Sequence, residues 1–416
     1  MIARWSATRA QILSWTLFDF ANTAFYVIIL TVGFPIYFKE VVAADSQHGD
    51  FLWGLSFSIS MLVVAILSPI LGAAADYGAG KKRFLGIFTG LCVLATGSLF
   101  FVEHSMIVTG MLLLILANIG FEAGLVFYDA FLPELTTERS YGRVSGYGYA
   151  MGYVGSLVAL MIAFPLYQAG FGAENLFNVR LSFPIAALFF LVFSLPLFFK
   201  VPDLQRHASL KLDFAKIGLR RVWATFRDFK KYVNVGRFLL AYFMYIDGVN
   251  TIIIFSSIFA RQTLQFDIGE IVIFFAMVQT SAIIGSVVFG ILADKIGQKK
   301  TLSVTLILWL LIVVAAYFVT DKTLFYVVGL FAGIALGSSQ STSRSLMSLI
   351  TPAEKKTEFF GFFSFFGKAS AILGPLLFGV VSSYVDQRTA ILSVGVFLLA
   401  GLILLKRVEE PVVKKM

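Results

Sequence analysis

Residues 290–300, Gly290-Ile-Leu-Ala-Asp294-Lys-Ile-Gly297-Gln-Lys299-Lys300, repeat the pattern of residues 72–82, Gly72-Ala-Ala-Ala-Asp76-Tyr-Gly78-Ala-Gly80-Lys81-Lys82. Gly72, Asp76, Lys81 and Lys82 recur as Gly290, Asp294, Lys299 and Lys300, all at one offset. Other pairs follow at nearly the same offset: Pro133 and Gly142 are matched by Pro352 and Gly361. Near the start, Asp19-Phe-Ala-Asn22-Thr23 is echoed by Asp247-Gly-Val-Asn250-Thr251 at a somewhat larger one. The larger offset there fits a first outer loop longer than its counterpart. Self-similarity at a fixed long offset is the mark of a duplicated unit.

Composition says what kind of unit was duplicated. Of 416 residues, 58% are hydrophobic and 14% charged, against about 25% charged for a soluble domain. The mean hydropathy is +0.87, which excludes a water-soluble globule. A bilayer core of about 30 Å takes about 20 residues of helix. Apolar stretches of that length occur near 12–38, 51–75, 84–102, 106–131, 144–167 and 179–199. A second set lies near 235–260, 270–293, 302–319, 323–344, 358–384 and 389–405. The expected fold is all-α and integral to the membrane, with twelve transmembrane helices in two pseudo-symmetric six-helix bundles. The expected division is 1–200, a linker at 201–234, and 235–416.

Charge orients the chain. Of 33 lysines and arginines, all but Lys39, Arg180, Arg261, Lys322, Arg388 and the intramembrane Lys368 fall on the face that holds both termini. The positive-inside rule makes that face cytoplasmic, and the net charge of +9 is topological, with no nucleic-acid partner implied. The run from Ile12 to Phe38 is longer than a signal h-region and lacks a small-residue cleavage site, so it reads as an uncleaved first span. Between the halves, Leu212, Ala215, Leu219, Val222, Phe226, Phe229 and Val233 recur at helical spacing among basic residues. Two readings stand: an amphipathic helix on the cytoplasmic membrane surface, or a solvated basic linker. The single Cys92 permits no disulfide, and His48, His104 and His207 all fall in loops, so neither metal site nor cofactor is expected.

The motif Gly290, Asp294, Gly297, Lys299, Lys300 is similar to the loop signature of the major facilitator superfamily. In the first copy Ala79 takes the expected glycine place, between Gly78 and Gly80. Trp15-Thr-Leu-Phe-Asp19-Phe-Ala-Asn22-Thr-Ala-Phe25, Phe127-Tyr-Asp-Ala-Phe-Leu-Pro133-Glu134 and Gly142-Arg143-Val-Ser145-Gly146-Tyr-Gly148 resemble the vacuole-effluxer-like branch of that superfamily. This resemblance implies a transporter that exports amino acids from vacuoles in fungi. The expected setting here is a bacterial inner (plasma) membrane, with a monomeric protein spanning the lipid bilayer.

Asp76 and Asp294 end spans 2 and 8 where spans 11 and 5 begin, and a helix N-terminus offers unpaired N–H groups and partial positive charge. Each aspartate is therefore expected to latch the cytoplasmic side, with Lys81, Lys82, Lys299 and Lys300 bracing the loops. Arg344, at a span end, reads as a gate or topological charge. Ionised residues at a helix centre cost roughly 2.5–3.5 kcal/mol on insertion scales, so Asp19, Glu122, Asp129, Asp247 and Lys368 should face the bundle interior. Asp19 with Asn22 and Asp247 with Asn250 share helix faces, as do Glu122 and Asp129. Lys368, with Asp19 or Glu122, would suit a zwitterion, and protonation of Glu122 or Asp19 would couple transport to protons. At the offset that joins Gly72 to Gly290, Glu122 corresponds to the neutral Gln340, which favours it as proton carrier. Structural roles in packing or kinking compete for Asp19 and Asp247.

Span 10 carries Ser338, Ser339, Gln340, Ser341, Thr342 and Ser343, expected in part to line a wet cavity. Gly148, Gly152 and Ser156 in span 5 form a close-packing pattern. Tyr147, Tyr149, Tyr153 and Phe365 are cavity candidates. Together these features predict a secondary active transporter for a small polar or zwitterionic solute, an amino acid among them, working by alternating access with proton coupling. An exporter of amphiphilic or hydrophobic compounds is the rival within the class. Outside it stand a lipid-modifying membrane enzyme, for which no nucleophile or metal motif is present, and a transporter-derived sensor. No P-loop sequence occurs, so the chain does not drive itself by ATP hydrolysis.

Overall fold

The structure, a computed structural model, describes residues 7–46, 48–203, 214–370 and 373–411. Twelve stretches among them are helical, long and apolar enough to cross a membrane. Spans 1 to 6 are Arg9–Val42, Gly49–Tyr77, Lys81–Phe101, Ile107–Leu135, Glu138–Tyr167 and Ala173–Lys200. Spans 7 to 12 are Lys230–Arg261, Gly269–Ile296, Gln298–Phe318, Lys322–Ile350, Ala353–Tyr384 and Gln387–Lys406. No described residue lies in a strand. Several helix starts are set by their sequence: Thr8 and Gln11 form a capping box on span 1, Asp267 and Glu270 another on span 8, and Asp321 and Asp386 cap spans 10 and 12.

The helix contacts group the chain into two compact units. One comprises Met1–Phe131 and Met151–Val222, the other Leu132–Ala150 and Trp223–Met416. The first turns of span 5 thus belong with spans 7 to 12, while the rest of span 5 belongs with the first unit. Inside the first unit span 1 packs on span 6, span 3 on spans 4 and 6, and span 2 on span 4. Inside the second, span 7 packs on span 12, span 9 on spans 10 and 12, and span 8 on span 10. Adding six to every number of the first set gives the second, so the packing is duplicated along with the sequence.

Small residues let these helices approach. A Cβ added to Gly155 would collide with the Phe20 carbonyl oxygen and stand 2.6 Å from Thr23 Oγ1. Gly155 therefore marks where spans 5 and 1 touch. Gly152, the residue singled out by the four-residue spacing, has only ordinary contacts there, 3.5 Å to Thr23. The spacing misses by one turn because it counts small residues without knowing which face meets span 1. In the second unit, Gly142 and Gly146 of span 5 lie against Gly290 and Ser286 of span 8, where added Cβ atoms would meet backbone oxygens.

Of the linker, Leu212 and its neighbours up to residue 213 lie outside the described residues, and a helix runs over Phe214–Arg227. Its buried positions are Gly218, Val222 and Thr225, spaced four and three. Gly218 rests on the Ile70 carbonyl within the first unit, and Thr225 donates to Glu358 within the second. Leu219, placed by periodicity on the inner face, is instead exposed beside Trp223. The apolar stripe is wider than the strip that protein covers.

Candidate functional site

Four polar constellations occupy the positions that sequence marked. The first is on span 1. Asp19 is 8% exposed and its Oδ2 accepts the Tyr128 hydroxyl at 2.7 Å. Tyr128 is fixed in turn: the Trp15 indole N–H donates to its carbonyl at 3.0 Å, and the rings of Trp15 and Phe18 stack on it at 4.7 and 4.9 Å. A buried carboxylate calls for a donor, and here a tyrosine locked between two aromatic rings provides it. Asn22 is buried one turn further on, and Glu122 of span 4 is half-buried. Asp129 is half-buried as well. Tyr128 is not among the residues that sequence selects. Its neighbour in the quoted motif, Asp129, draws attention because it carries a charge.

The second constellation is its repeat on span 7. Asp247 and Thr251 are fully buried, and Gly374, at the first turn of the helix Leu373–Tyr384, packs against both. Thr251 is the echo of Thr23, and Gly374 follows Gly155 at the offset that separates Pro133 from Pro352, so the Thr-on-Gly contact is itself duplicated. The donor is not. At the offset from Gly155 to Gly374 the counterpart of Tyr128 is Met347, which has no hydroxyl, and neither Asp247 oxygen makes a hydrogen bond. Asn250 is half-buried beside it. On span 11, Lys368 is half-buried and donates to Ser364 Oγ at 2.6 Å.

The third lies in the second unit, at the start of span 5. The side chain of Asp294 is 1% exposed and accepts the backbone N–H of Gly142 at 2.8 Å and of Arg143 at 3.1 Å, with the Arg143 Nε at 2.7 Å. These are two of the free N–H groups in the first turn of the helix Tyr141–Tyr167, so the carboxylate closes that helix end with charge-assisted bonds. Beside it Arg344, 1% exposed, donates to the Ser145 hydroxyl at 3.0 Å and its carbonyl at 2.8 Å, and stacks over the Tyr149 ring at 4.1 Å. Sequence places Arg344 at a span end. In the structure it is wholly inside. Ser145 and Tyr149, four residues apart on one helix face, are its partners, and only tertiary packing could name them.

The lysines of the loop form the fourth constellation. Lys81 is fully buried and donates to the Ala130 carbonyl at 3.0 Å. Lys82 gives its backbone N–H to Asp203 at 3.2 Å and its ammonium to the Val201 carbonyl at 2.5 Å. In the other unit Lys299 gives its backbone N–H to Glu410 at 3.2 Å and its ammonium to the Lys406 carbonyl at 2.9 Å, while Lys300 is exposed. The geometric partner of Lys299 is therefore Lys82, and the offset that joins Gly72 to Gly290, which sets Lys82 opposite Lys300, misaligns this turn by one. The cause is a π-helical turn over Ala75–Ala79, which holds one residue more than an α-turn. It carries Asp76, half-buried. Past the extra residue, Gly80 and Gly297 take the same turn at φ 83° and 104°, a conformation that favours glycine.

Span 10 differs from the expectation of a wet lining. Ser338, Ser339, Ser341, Thr342, Ser343, Ser345 and Ser348 are all buried. All but one of their hydroxyls return to carbonyls three or four residues back, as Ser339 does to Leu336, or cross to Thr305, Tyr245 and Gln298, and Thr342 Oγ1 makes no hydrogen bond. Back-bonding satisfies a buried hydroxyl without water. Gln340 alone of the six expected residues is half-buried. Among the described residues no cluster of acids, histidines and cysteines could hold a metal.

Twelve spans, a helix packing pattern repeated after six, and buried acids on spans 1 and 7 define a major facilitator superfamily transporter, a secondary transporter and not an enzyme. The chain belongs to the vacuole effluxer Atg22-like family, whose sequence profile matches residues 52–142 and 136–415. It is 32% identical to the uncharacterized MFS-type transporter YxiO of Bacillus subtilis over 95% of this chain and 94% of that one. It is 23% identical to Autophagy-related protein 22 of Yarrowia lipolytica over 86% of this chain and 72% of that one. Among solved structures it resembles the proton:xylose symporter XylE, with a TM-score of 0.73 at 16% identity over 96% of this chain and 95% of that one. It also resembles the E. coli fucose:proton symporter FucP, at 0.73 and 16% over 97% and 98%. At such identities the likeness is one of fold. The protein is a multi-pass integral membrane protein that handles a small-molecule solute.

Proposed function

We propose that the protein moves a small polar or zwitterionic solute, an amino acid in the first instance, and couples that movement to protons. The observation that carries this reading is the Asp19–Tyr128 pair, a carboxylate kept deep in a span by a dedicated donor, where an apolar pair would be far cheaper. Names of relatives support it: the family is described as vacuole effluxers and the structural likenesses include two proton symporters. In this reading Lys368 takes the solute carboxylate, Asp19 or Glu122 its amine, and Asn22, Asp247, Asn250 and Gln340 line the path. Glu122 and Asp19 exchange the coupling proton. Asp294 on the span 5 N-terminus, with Arg143 and Arg344, and Asp76 in the other copy of the loop, act as gates that open when the two bundles, 1–200 and 235–416, rock. Within the linker at 201–234, the helix Phe214–Arg227 rests at the cytoplasmic headgroup layer, where the exposed Leu219 and Trp223 favour lipid. A monomer in a bacterial inner membrane with cytoplasmic termini completes the reading.

Counterflow of labelled amino acids in proteoliposomes is the test. Exchange that Lys368→Ala abolishes supports a zwitterion site, and exchange of amphiphilic compounds alone supports the rival substrate class. No exchange of either kind would leave a sensor as the better reading.

A further inference from the structure

We propose that the exposed face of the helix Phe214–Arg227 is a binding surface for anionic phospholipid headgroups. The proposal rests on the reading that this helix lies in the headgroup layer, and it names the partner met there. Three edges follow one another around the helix axis, at about 100° per residue. Gly218, Val222 and Thr225 form the buried edge. Leu219 and Trp223, one turn apart and 58% and 72% exposed, form an apolar edge. Beside it Lys216, Arg220 and Arg227, spaced four and seven, form a basic edge, all three exposed. The apolar and basic edges therefore adjoin on the side that protein leaves uncovered.

The anchors of the helix set its depth. Gly218 lies against the Ile70 carbonyl of span 2, seven residues before Tyr77, where that span ends, and so about 10 Å back along its axis. Arg221 is half-buried with its guanidinium 6.0 Å from the centre of the Tyr77 ring. The helix thus runs beside the last turns of span 2. Tryptophan is favoured at such a boundary, because its ring is apolar while its N–H wants a polar partner.

Charge selects the lipid. From Phe214 to Arg227 there are four basic residues and no acidic one. The first acid beyond them, Asp228, is held by Lys231 at 2.8 Å and stands 3.9 Å from Arg227 Nε, at the limit of ion-pair range. A basic edge beside an apolar one complements a layer that is apolar below and anionic above. Two of the three cations on that edge are guanidinium groups, whose planar forks match phosphate oxygens. A zwitterionic headgroup offers the same phosphate but carries a cation of its own that repels them. An acidic protein would meet the cations, yet at this depth Leu219 and Trp223 call for acyl chains.

Trp223 is the probe. The full-length protein is placed in nanodiscs of phosphatidylglycerol and phosphatidylcholine, with one lipid or the other brominated high on its acyl chains. The difference in quenching between wild type and Trp223→Phe isolates this indole from the other tryptophans. Brominated phosphatidylglycerol should quench Trp223 beyond its mole fraction, and brominated phosphatidylcholine below it. Each of Lys216→Gln, Arg220→Gln and Arg227→Gln should reduce that preference by up to about fivefold, and added salt should reduce it in the wild type. With all three changes together, both lipids should quench in proportion to their mole fractions.

A preference that survives the triple change would overturn the role of these cations. Quenching in proportion to mole fraction in the wild type would overturn the proposal and leave the helix in the headgroup layer. No quenching by either lipid would overturn the headgroup reading and the proposal together, and would give this face to solvent or to an acidic protein.

Discussion

Lys82 and Lys299 stand in the same place in their respective units. Each gives its backbone N–H to a carboxylate at 3.2 Å and its ammonium to a carbonyl at the end of the unit's last span. The carboxylates, Asp203 and Glu410, follow spans 6 and 12 by a few residues. Span 3 is thereby tied to span 6, and span 9 to span 12, by reciprocal helix-end bonds: an anion on one N-terminus and a cation on the facing C-terminus.

Removing that anion should loosen the second unit. Glu410→Ala deprives Gln298 and Lys299 of their N-terminal acceptor, a loss of about 0.5–2 kcal/mol by analogy with other caps. The thermal midpoint in nanodiscs should fall, and Glu410→Gln should recover part of it. No fall with Glu410→Ala would refute the cap.

Gly155→Ala tests the contact of spans 5 and 1. Its new methyl meets the Phe20 carbonyl oxygen, and overpacking of this kind costs roughly 1–3 kcal/mol. Gly54→Ala and Gly90→Ala, which meet nothing within 4 Å, should leave the thermal midpoint where it is. Equal midpoints in all three variants would show that the spans part without strain.

Asp294→Ala removes three bonds at the span 5 N-terminus, two of them from backbone N–H groups. Hydrogen bonds to charged groups contribute about 1.5–3 kcal/mol each, so losing even one shifts a gating equilibrium roughly tenfold or more. Counterflow should slow by at least that factor. Asp294→Asn, which keeps an oxygen for Gly142 but loses the Arg143 ion pair, should fall between. Wild-type rates in both would remove Asp294 from the gate.

Span 12 should respond to acid at its first turn. Asp386 accepts the Thr389 N–H at 2.8 Å and its hydroxyl at 2.7 Å, and these bonds hold its carboxyl below the usual carboxylate range. Such a group stabilises the fold above its unfolded pKa, and the contribution is lost as pH falls through the folded one. Hydrogen exchange at Thr389 should therefore gain an acid-dependent opening in that range, absent in Asp386→Asn. A wild-type opening rate flat with pH would count against the cap.

How far sequence reaches can be judged residue by residue. The repeat of Asp19 as Asp247 and of Gly72 as Gly290 is legible because duplication preserves spacing. Spacing pairs Lys82 with Lys300 rather than Lys299 because a π-turn adds a residue without leaving a mark in composition. Trp15, Tyr128 and Ser145 escape notice because aromatic and hydroxyl residues abound in this chain, and nothing short of packing selects the one that meets a carboxylate or guanidinium. The serines of span 10 are visibly polar, yet whether they face water or each other's backbone is a matter of neighbours.

By itself the sequence determined the number of crossings, the duplication and the residues at which charge enters the membrane, since each follows from local hydropathy and spacing along one chain. Tertiary structure alone decided which buried carboxylate has a donor. Asp19 and Asp247 sit in nearly identical local sequence, but a hydrogen bond is made by whatever the next helix presents, Tyr128 for one and no described donor for the other.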